Sequence, residues 1–179
     1  MKKGLVLVDI QKDYFPGGNM ALVDMENAAG NARRLLQQFR SNGDPIFHIQ
    51  HIAARPGATF FLPNTIGAEI HMLVKPEADE VVIQKHFPNS FRDTPMLTEL
   101  HKENVDTLVV CGAMSHMCID ATTRAAFDLG FTCMVVEDAC ATRDLEFKGK
   151  TVEASKVHGA FMAALSGTYA EVITTDDVC

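Results

Sequence analysis

The chain of 179 residues has no CxxC pair among its five cysteines, no basic stripe, no long apolar run and no repeat. Each absence removes a class of function. An odd cysteine count without paired spacings speaks for reduced thiols in a cytoplasm rather than a disulfide framework. The formal net charge of −7 leaves nothing to track a phosphate backbone, so no nucleic-acid partner is expected. The apolar runs are too short to cross a bilayer, and Asp9 interrupts the first where a signal peptide would stay apolar. Neither a membrane span nor an export leader is expected. With no linker or low-complexity tract, residues 1–179 are expected to form a single domain.

What is present is a regular alternation of patterns. Lys3–Val8 is an apolar run ending in Asp9. Residues 27–42 carry Ala28, Ala32, Leu35, Leu36 and Phe39 at helical spacing, closed by Gly43. Stretches 45–50 and 80–84 read as strands. Thr94 and Pro95 then open a helix through Leu97 and Leu100 that ends near Asn104. Residues 108–111, 131–137 and 170–173 read as further strands. A helix over 115–129 ends at Gly130, and another carries Val157, Phe161 and Leu165 and ends at Gly167. This predicts an α/β fold: a doubly wound, mostly parallel six-stranded sheet with helices on both faces, Rossmann-like in plan. Such sheets bind ligands beyond the carboxyl ends of their strands, where strand order reverses. Asp9, His51, Lys85, the 112–118 turn and Asp138 are therefore candidates.

Residues 52–79 break the alternation. Loops this long in compact domains are usually functional or disordered, and Phe60, Phe61, Leu62 and Ile66 argue against disorder. Two readings stand equal: a flap over a site, its own or a neighbouring subunit's, and a structural excursion packed on the same chain.

The segment from Thr107 to Cys118 is the most informative. A buried strand stops at Gly112, Ser115 is positioned as a helix N-cap, and Cys118 falls at N3. Free amides and the helix dipole favour a thiolate there and can hold an oxyanion. On position alone, a reactive thiol and a small buried hydrophobe are equally good readings. Cys111, Cys133, Cys140 and Cys179 read as structural or tail thiols. Asp9 and Lys85 also end predicted parallel strands, so both could emerge on the same sheet edge as Cys118. A carboxylate beside a thiol can take its proton and return it to a leaving amine, and a lysine can orient both anions.

Three motifs carry a resemblance that spans nearly the whole chain. Leu7-Val-Asp9-Ile-Gln11-Lys-Asp13-Tyr14-Phe15 matches a D-x-Q-x-D-F opening. Gln84-Lys85-His86-Phe87-Pro-Asn-Ser90-Phe91 matches a catalytic-lysine segment, and Cys111-Gly112-Ala-Met-Ser115-His-Met-Cys118-Ile-Asp-Ala-Thr122 matches G-x-x-(T/S)-x-x-C-V-x-x-T. The chain thus resembles the isochorismatase-like cysteine hydrolases, which include nicotinamidases, N-carbamoylsarcosine amidohydrolase and streptothricin hydrolase. The resemblance implies an Asp9–Lys85–Cys118 triad. It also implies a cis peptide between Ala113 and Met114, with the Met114 and Cys118 amides as oxyanion donors. Tyr14 falls where relatives set an aromatic against a planar substrate; Gln11, Phe15, Phe87 and Met117 are expected beside it.

The departures matter equally. Nicotinamidases of this group hold a metal with an Asp-x-His pair and a further His after the second strand; those places here hold approximately His51, Ala53 and Phe60. Two of the three cannot ligate, so no metal and no other cofactor is expected. His48 and His51, three apart in a strand, point to opposite faces and do not make a pair. The cysteine argues against isochorismate itself, because vinyl-ether hydrolysis needs an acid rather than a thiolate. The expected activity is amide-type hydrolysis of a small amide, ureido compound or lactam through a thioester, in a cytoplasmic homo-oligomer, dimer or tetramer. The alternatives are a metal-assisted nicotinamidase, a non-catalytic binding or scaffold protein, and a redox-sensing thiol.

Overall fold

The computed structural model describes residues 1–179. Its centre is a six-stranded parallel sheet of order β3-β2-β1-β4-β5-β8. The strands are β1 (Lys3–Val8), β2 (Ile46–His51), β3 (Val81–Lys85), β4 (Thr107–Ala113), β5 (Thr132–Ala141) and β8 (Glu171–Ile173). The chain begins in the middle of the sheet, winds outward through β2 and β3, then crosses back to β4 beside β1. Strand order therefore reverses between β1 and β4. No helix is long and apolar enough to cross a membrane.

β1 is apolar on successive residues because both its faces are covered. Leu5 and Leu7 enter a core of 24 buried residues on one face, and Val6 and Val8 a core of 20 on the other. The first face is covered by α1 (Met25–Asn42), whose Met25, Ala28, Ala32, Leu35, Leu36 and Phe39 are buried at helical spacing. Met96 and Leu100 of α2 (Met96–Lys102), Ala126 of α3 (Asp120–Asp128) and Met162 and Leu165 of α4 (Ala154–Leu165) fill the other. α1 starts two residues before the expected Asn27, because Asp24 takes a left-handed φ of 61° and Met25 can already enter the core.

The strand expectations hold to within a few residues. A short antiparallel hairpin was not anticipated: β6 (Leu145–Phe147) and β7 (Lys150–Val152). Its signal was the Lys148-Gly149 pair, with positive φ at both positions (51° and 73°), the requirement of a two-residue hairpin turn.

Residues 52–79 contain two single 3-10 turns, Ile66–Ala68 and Met72–Val74. The segment is fastened to its own chain: the Lys12 amide donates to Glu69 O at 3.0 Å, and that of His71 to Ile10 O at 2.9 Å. Phe61 and Val74 are buried in the core under α1. It is thus packed on its own chain, and it also covers a cavity.

Candidate active site

The site sits where β1, β2, β3 and β4 end. Asp9 follows β1 with a left-handed φ of 52°, a conformation Asp tolerates better than most side chains, and its carboxylate is fully buried. Lys85 is the last residue of β3 and equally buried; its Nζ lies 2.9 Å from Asp9 Oδ2 and donates to Pro88 O at 3.0 Å. Neither Asp9 oxygen has a hydrogen-bond partner beyond that ion pair. An Asp9 oxygen, a His51 ring nitrogen and Cys118 Sγ all lie within 4.8 Å of one another. The strand-end logic is the reason these groups meet: His51 is in register with Lys85, and β1 lies between β2 and β4.

Cys118 stands on an irregular turn. Ser115–Ile119 forms one π turn, closed by the Ile119 amide on Met114 O at 3.3 Å, before α3 begins at Asp120. Ser115 is not an N-cap; Met114 holds that position without a side-chain bond. The Ser115 hydroxyl is drawn away to His158 Nδ1 at 2.9 Å and Ala141 O at 3.3 Å, and His158 Nε2 lies 3.2 Å from Glu137. The Ala113–Met114 peptide is cis. Gly112 precedes it with φ 121°, and a Cβ there would come within 2.0 Å of Val8 O. β1 and β4 approach at the reversal point only because that residue is glycine.

The electrostatics correct a second expectation. Cys118 is not favoured as a thiolate at rest. Burial pushes its thiol well above the ordinary range and the Asp9 carboxylate adds to the effect, with Lys85 opposing both. Burial works against the Lys85 ammonium, yet Asp9 and Cys118 outweigh it and hold the group above its usual value. Burial holds His51 below the ordinary imidazole range, Asp9 opposing, which favours the neutral ring. Tyr14 is raised well above the usual phenol range, by burial first and then by Cys118 and Asp9.

A cavity of about 310 Å³ opens onto Cys118. Tyr14, Phe87 and Met117 line it, as do Met114 and the sulfur itself. The 52–79 flap contributes Ala53, Ala54, Arg55, Ala58 and Phe60, and His86 and Pro88 complete the rim. Arg55, His86 and the flap alanines were not anticipated; their only sequence signal is position, beside β2 or beside Lys85. A larger hollow of about 680 Å³ lies at the amino ends of β5 and β8, away from Asp9, Lys85 and Cys118.

Three expected residues stand elsewhere. Gln11 does not reach the cavity. It brackets the His51 backbone, receiving its amide at 2.8 Å and donating to its carbonyl at 2.8 Å, and also donates to Ala68 O. Phe15 stacks on His71 with ring centroids 3.7 Å apart. Asp138 lies inside β5, where it accepts from Thr175 and Asn31. Asp13, from the same motif as Gln11, accepts the Phe61 amide at 2.7 Å. The opening motif therefore holds the flap as well as supplying Asp9. The second and third motifs are also joined, through Ser90 Oγ and Thr122 Oγ1 at 2.8 Å.

Asp9, His51 and Cys118 could offer donors to a cation, but the Lys85 ammonium already balances the carboxylate. The metal arrangement of nicotinamidases does not fit, since Ala53 and Phe60 face the cavity without a donor atom. His48 pairs instead with Glu80 at 2.9 Å. Cys111, Cys133 and Cys140 are buried free thiols, the last two pushed up by burial to about 11 and about 12.

A sequence model of the isochorismatase domain matches residues 3–177. An uncharacterized isochorismatase family protein of Bacillus subtilis, YddQ, is 56% identical over 98% of both chains. Streptothricin hydrolase of Streptomyces noursei is 33% identical over 98% of this chain, which spans 60% of that protein. A crystal structure from Oleispira antarctica, assigned as an isochorismatase hydrolase, superposes with a TM-score of 0.95 at 48% identity, covering 99% of this chain and 95% of that one.

Proposed function

The chain belongs to the isochorismatase family of hydrolases, and we propose that it cleaves a C–N bond in a small amide, ureido compound or lactam through a thioester on Cys118. One observation carries the reading: a buried ion pair of carboxylate and ammonium lies beside a thiol that lines the cavity, and that thiol is neutral at rest. A neutral thiol needs a base at the moment of attack, and Asp9 is within reach. Asp9 takes the Cys118 proton as the sulfur attacks the carbonyl carbon. The amides of Met114 and Cys118 hold the developing oxyanion, each donor worth roughly 3–4 kcal/mol of barrier. Collapse of the adduct breaks the C–N bond, and Asp9 delivers the proton to the departing amine. Water then hydrolyses the thioester, returning acid and free thiol. Lys85 stays protonated and compensates each anion in turn.

The apolar wall and flat aromatic edges of Tyr14 and Phe87 suit a compact, largely uncharged body. No metal ion enters the scheme. A homo-oligomer in the cytoplasm belongs to the same reading, and sedimentation velocity measures its assembly state. The deciding experiment is an ammonia-release screen over small amides, ureido compounds and lactams, beside Cys118→Ala. The variant should lose all turnover while keeping the wild-type melting transition. Ammonia release by folded Cys118→Ala would reject the mechanism, and the absence of turnover and of any acyl-Cys118 adduct across the whole screen would favour a scaffold.

A further inference from the structure

His51 lines the cavity beside Asp9 and Cys118, and the reaction above leaves it without a task. It closes β2, and Gln11 holds its backbone from both sides. Its ring leans on Phe61, with centroids 5.9 Å apart, which restricts rotation. No protein group hydrogen-bonds either ring nitrogen; the ring faces the cavity, and its nitrogens are not among the sealed, unpaired atoms of the core. A half-buried imidazole in that condition leaves a partner to come from outside the protein. The nitrogen that would meet such a partner is within 4.8 Å of the Asp9 carboxylate and the Cys118 sulfur.

We infer that His51 binds and aims the water that hydrolyses the Cys118 thioester. The inference rests on the cysteine-hydrolase reading and assigns a residue to its second half. When the amine leaves, a water entering between Asp9 and His51 can donate one proton to each. Its oxygen bonds to the thioester carbon, and the carbonyl pair moves onto the oxyanion. The proton facing Asp9 transfers to that carboxylate; the proton facing His51 stays on oxygen and is only hydrogen-bonded. Collapse then breaks the C–S bond, and Asp9 returns its proton to the sulfur. A neutral imidazole suits this work, because it keeps one nitrogen free as an acceptor.

p-Nitrophenyl acetate tests this without knowledge of the natural substrate, since its leaving group reports acylation directly. The wild-type chain should show a burst of p-nitrophenolate stoichiometric with protein, followed by steady turnover. His51→Leu should keep the burst and lose steady turnover by roughly 100-fold. Mass spectrometry should then find acetyl-Cys118 accumulated. His51→Gln, which can still accept from water, should recover much of the loss. Steady turnover in His51→Leu at the wild-type rate overturns the assignment, as does loss of the burst in a folded His51→Leu. Absence of a wild-type burst, with release unchanged in Cys118→Ala, overturns the covalent reading beneath it as well.

Discussion

Asp9 and Lys85 pull the Cys118 thiol in opposite directions, so their removal should have opposite effects. Asp9→Asn removes the carboxylate that, after burial, most disfavours the thiolate, and leaves the Lys85 ammonium beside the sulfur. Alkylation by iodoacetamide at neutral pH should then run several-fold faster than in the wild type, although turnover falls at least about 100-fold for want of a base. Lys85→Met should do the reverse, slowing alkylation. It should also cost roughly 3–5 kcal/mol of stability in urea unfolding, because a buried carboxylate is left uncompensated. Equal alkylation rates in the two variants would show that the pair does not control the sulfur. The convergence of Asp9, Lys85 and Cys118 was legible in the sequence, because strand ends and parallel order force them together. The role of Ser115 was not. A local pattern reads a serine before a helix as a cap, but the hydroxyl is taken by His158, 43 residues away. Gln11 misled for the same kind of reason: its partners at 51 and 68 belong to elements that a motif does not reveal.

Between elements, the cluster around Glu80 ties α1 to the sheet edge. Arg40 of α1 makes two bonds to Glu80, at 2.7 and 2.8 Å, and His48 of β2 makes a third contact at 2.9 Å. Burial alone would raise the Glu80 carboxyl. Arg40, the Glu77 amide and His48 together bring it from its ordinary 4.5 down to about 2. A carboxyl depressed in the folded state stabilises at every pH above its unfolded value and loses that contribution as pH falls through the folded one. The window here runs from about 4.5 to about 2. Glu80→Gln should lower stability at pH 7 by roughly 2–3 kcal/mol, the scale of bonds to a charged group. It should also flatten the fall in melting temperature across that acid window; an unchanged acid profile would place the linkage in other carboxylates. Periodicity made α1 and the strands readable. It could not show that His48 of β2 belongs to this structural network.

Asp9, Lys85, Cys118 and the flap residues that line the cavity belong to one and the same chain. The reversal between β1 and β4 puts Asp9 and Cys118 on neighbouring strand ends, and the outward winding brings Lys85 to the same rim. Cys118 should therefore alkylate at the same rate per chain when the protein is diluted until any oligomer dissociates. A rate that collapses on dilution, with the fold retained by circular dichroism, would mean that a neighbouring subunit completes the site. The segment 52–79 was readable as a break in alternation, with a flap and a packed excursion left as equal readings. Its attachment was not, because it depends on pairings between distant backbone groups.

The stretch between His51 and Phe61 is clamped at both ends to the opening motif, by Gln11 at one and Asp13 at the other. Between the clamps lie Ala53, Ala54, Arg55, Ala58 and Phe60, which form one side of the cavity and carry none of the proton chemistry. Evolution can therefore retailor this short strip like an exchangeable cassette, trading one molecular appetite for another while the reactive apparatus behind it stays untouched.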